Sequence, residues 1–244
     1  MRTVVRLPVV DGLGQTLRRD NWWVAPLVTF LALTVFVVYA AFRALEGSAY
    51  TWGPYVSPLA SPYFETKGFG VPLLTPATLV LPIPALFRLT CYAHRQAYYR
   101  AFFMSPPACS VGAAPSARYE GERKLAFLQV LHRWTLYLAL VFLVMLWLDF
   151  ARSLSWEDRF GAGVGSFVIL VNCTLLSAFT FSCHSFRHLV GRFTGARLGF
   201  VWRGVSKLTE HHALLGWASL ASVCLTDVYV RSIATGAWMD FRLF

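Results

Sequence analysis

Two stretches of this chain place cysteine and histidine together at the end of an apolar run: Cys91-Tyr92-Ala93-His94-Arg95 and Cys183-His184-Ser185-Phe186-Arg187-His188. His132 opens a third run and His211-His212 opens a fourth. Thiolates and imidazoles are the side chains that hold redox metals and zinc. His184 and His188 are four apart and share a helix face, whereas Cys183 points about 100° away from His184. Such a turn presents thiolate and imidazole together. One use is a Rieske-type [2Fe–2S] cluster, in which two imidazoles replace two thiolates on one iron and raise the potential. Another is a b-type haem held by one histidine from each of two helices, for which His132, His188 and His212 are candidates. Three cysteines at this face favour the cluster, because bis-histidine haem uses none. The spacing matches no common structural zinc pattern.

Beside the first stretch runs an aromatic and basic strip, Arg95, Tyr98, Tyr99 and Arg100, continued by Phe102 and Phe103. It reads either as a belt at the membrane surface or as the wall of a quinone pocket, with Tyr and Arg donors holding a carbonyl oxygen and Trp134 closing the side. Asp227 and Tyr229 form a second polar spot. A helical pair of Asp227 with Arg231 is the simple expectation there, and a distal quinone or proton site is the alternative. Cys173 and Cys224 read as small buried hydrophobes, and His94 and His211 as interfacial or capping residues.

These residues need elements to carry them, and composition says which. The chain is 57% hydrophobic and only 14% charged, with a mean hydropathy of +0.53, well below the charge content of soluble domains. Lipid must cover it. Apolar runs predict an all-α integral membrane bundle of about five transmembrane helices in a single membrane-anchor domain, 1–244, with spans at about 22–45, 75–99, 125–150, 161–190 and 212–233. In the second, Pro72, Pro76, Pro82 and Pro84 predict a kink, and Arg88 lies within it. The stretches 46–70, 102–124 and 189–210 read as loops, with Glu120 to Lys124 starting the third span. Residues 1–14 lack the apolar core of a secretory signal.

Charge then orients the bundle. Arg2, Arg6, Arg18, Arg19, Arg95, Arg100, Arg118, Arg123, Lys124, Arg187, Arg192, Arg197, Arg203 and Lys207 fall on one side, and Lys67, Arg152, Arg159, Arg231 and Arg242 on the other. By the positive-inside rule the N-terminus is cytoplasmic. All six histidines, with Cys91, Cys109 and Cys183, lie at that inner face. The net charge of +10 is spread over short loops and forms no stripe, so it predicts membrane lipid and no nucleic acid as its partner.

The run from Cys91 through Ala97-Tyr98-Tyr99-Arg100, Ser105-Pro106-Pro107-Ala108-Cys109, Cys183 to Gly191 and Thr226-Asp227-Val228-Tyr229-Val230-Arg231 resembles the membrane-anchor (cytochrome b-like) subunit of actinobacterial-type succinate dehydrogenases, similar to a mycobacterial enzyme with a membrane-embedded Rieske-type cluster. The resemblance covers about 22–244. It implies a non-flavin subunit of succinate:quinone oxidoreductase, with a flavoprotein subunit, an iron–sulfur subunit and room for another small membrane subunit as partners. Electrons would pass through a metal centre at the inner face to a quinone, with menaquinone the expected one. Carried over, the cluster ligands are drawn from Cys91, Cys109, Cys183, His184 and His188, and haem b at His132, His188 or His212 stays the alternative. Cys91-Tyr92-Ala93-His94 has the Cys-x-x-His spacing of one ordinary Rieske loop, and nothing matches the other. A multi-pass cell-membrane location follows. A transporter or channel subunit is the competing class, but no internal repeat or paired broken helices with acidic midplane residues support it.

Overall fold

Proline opens two of the helices formed by the second apolar run. In the computed structural model, which describes residues 12–66, 74–114, 126–156, 159–194 and 199–244, α1 covers Val24–Glu46 and ends on Gly47 in the left-handed region, φ 67°. Helix α2, Pro76–Val80, starts with a reciprocal cap between Thr75 and Thr78 and proline at its first turn. Helix α3, Pro82–Thr90, likewise has proline at its first turn, where the missing N–H costs nothing.

Cys91 then takes an extended ψ of 128°, and α4, Tyr92–Phe102, leaves at 84° to the preceding helices. The expected span over 75–99 is therefore broken at Cys91, and its last third turns aside. Helix α5 runs over Ala126–Arg152. The expected fourth span, 161–190, also stops early: α6 is Val164–Phe181, and after Ser182-Cys183 an amphipathic helix, α7, His184–Thr194, takes over. The loop expected over 189–210 holds a second amphipathic helix, α8, Gly199–Glu210, and α9 is His212–Ala234. Among the described residues four helices are long and apolar enough to cross a membrane, or five when the bent α2–α4 segment counts as one. Residues 115–125, where the third span was expected to start, and Arg2, Arg6, Lys67, Arg118, Arg123, Lys124 and Arg197 of the charge count lie outside the described residues.

Helix α9 packs along α6, α5 lies against α3 and α6, and α1 leans on α4. Ser222 of α9 donates to Asn172 of α6 at 3.0 Å, a polar tie of the kind that joins helices in lipid. Arg187 of α7 donates to Ser206 of α8 at 2.9 Å and lies over the Trp202 ring. The lipid side of the bundle is apolar, as Val35 and Val38 of α1 and Trp134 and Val144 of α5 show by their exposure.

At the outer end, the segment after α1 folds into a small hairpin, β1 Thr51–Trp52 with β2 Tyr55–Val56, and tucks into the bundle. Tyr55 is fully buried and donates to Asp240; a Cβ on Gly165 would stand 2.4 Å from its ring. Arg43, fully buried, donates to Asp227 at 2.8 Å, to Glu46 and to the carbonyls of Ser48 and Ala49. Asp227 also accepts from Tyr39 and Ser57. The pair expected between Asp227 and Arg231 does not form: Arg231 instead holds Glu46 at 2.8 Å. A side chain on the neighbouring helix outcompetes the i,i+4 partner because it completes a fully buried ion pair.

Candidate metal and redox site

Four places in the fold each supply one donor. Cys91 sits at the α3–α4 bend, Cys183 at the α6–α7 break, His132 in the second turn of α5 and His212 at the first residue of α9. Cys91, Cys183 and His132 are buried and His212 is half-buried. They stand as two thiol–imidazole pairs: Cys91 Sγ is 3.2 Å from His212 Nε2, and Cys183 Sγ is 3.1 Å from His132 Nε2. The two thiols, and likewise the two imidazoles, are within electrostatic reach of each other. The four groups line one cavity. Among the described residues no three donors surround a single point.

The imidazoles are fixed from behind. Thr90 Oγ1 meets His132 Nδ1 at 3.0 Å and Ser182 Oγ meets His212 Nδ1 at 2.7 Å, so both Nε2 atoms face sulfur with the other ring nitrogen engaged, as metal-binding histidines are held. Phe87 stacks on His132 at 4.7 Å and 11°, and Phe179 on His212 at 5.0 Å and 13°. Burial pushes the Cys183 thiol up to about 11, with Cys91 adding to the effect. A cavity of about 680 Å³ opens on the four donors and is lined also by Tyr92, Arg95, Arg133, His184 and His188.

The other expected site residues fall in different places. His184 and His188 face each other, Nε2 to Nε2 at 3.1 Å, exposed at the rim of this cavity. Burial lowers the His184 pKa, and His188 and Arg187 lower it further. Cys109 is exposed in the segment after α4, where its carbonyl accepts from Arg18 at 2.9 Å; the structure does not bring it to the four donors. Arg95 is buried, donates to the Thr90 carbonyl and lines the cavity. Tyr98 turns to His94 and Tyr99 to Phe103; Arg100 is half-buried on the last turn of α4. Trp134 points outward beside Tyr137, 67% exposed, so the expected pocket of Tyr98, Tyr99, Arg100 and Trp134 does not assemble. Asp227 is enclosed in the outer ion pair, and Tyr229 donates to Asp240 at 2.6 Å; they share no site.

Sequence reasoning set His132 and His212 aside for haem and passed over Thr90, Ser182, Phe87 and Phe179. Their common signal is position next to, or one helical turn from, a donor. Arg88 was visible as a charge inside an apolar run. It donates to the Gly216 carbonyl at 3.0 Å and to Ser219 at 2.8 Å, and lies 4.4 Å from the Phe179 ring centre.

Comparison with known proteins gives the chain a family. A family model described as actinobacterial succinate dehydrogenase subunit SdhC matches residues 24–236. A chain of the Mycobacterium smegmatis Sdh1 complex in the apo form is similar in structure, with a TM-score of 0.86 and 34% sequence identity, over 99% of this chain and 97% of that one. No curated protein matches.

Proposed function

Because this chain belongs to the actinobacterial succinate dehydrogenase SdhC family, and is thereby a multi-pass cell-membrane subunit of an oxidoreductase complex, we propose that it carries electrons from a cytoplasmic iron–sulfur subunit to a quinone through a metal centre at its inner end. The similarity to a chain of the Mycobacterium smegmatis Sdh1 complex supports flavoprotein and iron–sulfur subunits of succinate dehydrogenase as its partners. The chemistry of succinate itself belongs to the flavoprotein. Family membership leaves no reason to read the chain as a transporter or channel subunit.

The observation that carries the proposal is the pair of Cys–His contacts. Two thiols and two imidazoles, each sulfur against an Nε2 atom, are the donor set of a Rieske-type [2Fe–2S] cluster, in which each iron takes only two protein ligands. Cys91, Cys183, His132 and His212 would hold it. When bound, the cluster supplies one-electron transfer. Thr90 and Ser182 orient the imidazoles, Phe87 and Phe179 cover their faces against water, and the thiols would release their protons to solvent on binding a metal as thiolates.

Haem b is the second reading, since His132 and His212 come from different helices. It is disfavoured by the sulfur standing at each Nε2. The neighbouring cavity, with Arg95, His184 and His188 as donors, is the size of a ligand pocket and would hold the quinone head group, menaquinone or a relative. Its polar residues would bind the ring oxygens and steady negative charge as it develops.

The test is spectroscopic. In the purified complex a [2Fe–2S] centre of this ligand type gives an electron paramagnetic resonance signal distinct from the partner's clusters. Alanine at Cys91, Cys183, His132 or His212, one at a time, is expected to remove it with the soluble subunits still bound. Retention of the signal in all four variants, or a haem absorption band in the wild type, would end the proposal.

A further inference from the structure

Arg88 brings a positive charge into the apolar part of the bundle, and every group that holds it is neutral. Its guanidinium donates to the Gly216 carbonyl and Ser219 Oγ, lies over Phe179 and stands 3.4 Å from His94 Nε2. Among the described residues no carboxylate pairs with it. Arg88 also lines an apolar cavity of about 360 Å³ together with residues such as Phe36, Leu81, Leu143 and Leu220. A lone cation at such depth is costly and marks function.

Its neighbours indicate which function. Phe179, under the guanidinium, is also the ring that stacks on His212, and Arg88 lies one turn before Cys91, with the charge in electrostatic reach of both. Apolar walls and helix packing screen such a charge weakly.

Resting on the metal centre proposed above, we propose that Arg88 is a positioning charge that sets the potential of the group held by Cys91, Cys183, His132 and His212. A one-electron group held there would become more negative by one unit on reduction by the iron–sulfur partner and would lose that unit on oxidation by the quinone. Arg88 exchanges neither proton nor electron. Its fixed charge favours the reduced form, so it raises the potential; net charge and burial are the levers by which proteins tune such centres. A purely mechanical role, tying α3 to α9, would leave the potential unmoved.

A reductive titration of the purified complex, followed by electron paramagnetic resonance alongside iron content and bound subunits, separates the two. Arg88→Gln is expected to shift the reduction equilibrium at least tenfold toward the oxidised form, a fall of about 59 mV for a one-electron couple, with the line shape kept. Arg88→Lys should stay close to the wild type. Ser219→Asp sets a carboxylate beside an intact Arg88 and should lower the potential in the same direction; it decides the matter should Arg88→Gln fail to assemble. Wild-type potentials in the assembled charge-neutralising variants overturn the role of Arg88 alone. Absence of any such signal in the wild-type complex overturns the metal centre and this inference together.

Discussion

Thr90 and Ser182 show how much of the site depends on residues that bear no metal chemistry of their own. Each hydroxyl engages the Nδ1 atom of one imidazole, which turns Nε2 toward sulfur. Thr90 is held in turn by the carbonyl of Leu86 at 2.8 Å, so its oxygen keeps its place without the histidine. Removing such an outer partner commonly weakens metal binding by about 10–100-fold. Thr90→Val and Ser182→Ala are therefore expected to lose iron faster than the wild type under a chelator while the soluble subunits stay attached. Equal rates of loss would show that the hydroxyls only fill space. The sequence made the four donors visible as residue types but did not sort them, because pairing depends on which helix faces which. Spacing along one chain favoured His184 and His188, four apart on a single helix, over His132 and His212, which meet the cysteines only after α5, α6 and α9 have packed.

Helix boundaries decided what was legible at the scale of elements. Hydropathy located every apolar run, since lipid exposure leaves a strong compositional trace. It did not see that α6 stops at Phe181, because Phe186, Leu189 and Val190 carry the apolar run into α7, where they alternate with Arg187 and Arg192 as an interfacial helix requires. The bend at Cys91 was hidden in the same way, although the prolines upstream announced some break. These breaks are what put Cys91 and Cys183 at the ends of helices, free to face a neighbour. Close approach of α9 to α4 depends on Gly216, where a Cβ would stand 2.8 Å from His94 Cε1 and 3.0 Å from its Nε2. Gly216→Ala is expected to displace the His94 ring and lower stability by about 1–3 kcal/mol, the usual cost of overpacking, seen as a reduced unfolding temperature of the solubilised complex. An unchanged temperature would mean that α4 shifts at no cost.

Across the whole molecule the two ends divide the work. The inner end holds thiols and imidazoles beside an open cavity, and the outer end holds ion pairs that are closed on themselves. Arg43 and Asp227 are both fully buried, and between them gather Tyr39, Glu46, Ser57 and the carbonyls of Ser48 and Ala49. This network fastens α1, α9 and the hairpin segment into one block. The oxygens of Asp227 are engaged by Arg43, Tyr39 and Ser57. Breaking a buried pair from one side leaves a charge uncompensated, which typically costs about 3–5 kcal/mol. Asp227→Asn should thus depress the unfolding temperature and the yield of the complex far more than Gly216→Ala. The fraction that survives should keep the metal signal and its potential, because the pair lies at the opposite end of the bundle from the site. The double change Arg43→Met with Asp227→Leu removes both charges and should recover part of the loss, as apolar replacements of buried pairs often do. Loss of the metal signal in Asp227→Asn at full stability would show instead that the outer network communicates with the proposed metal site, and the division between the two ends would fall.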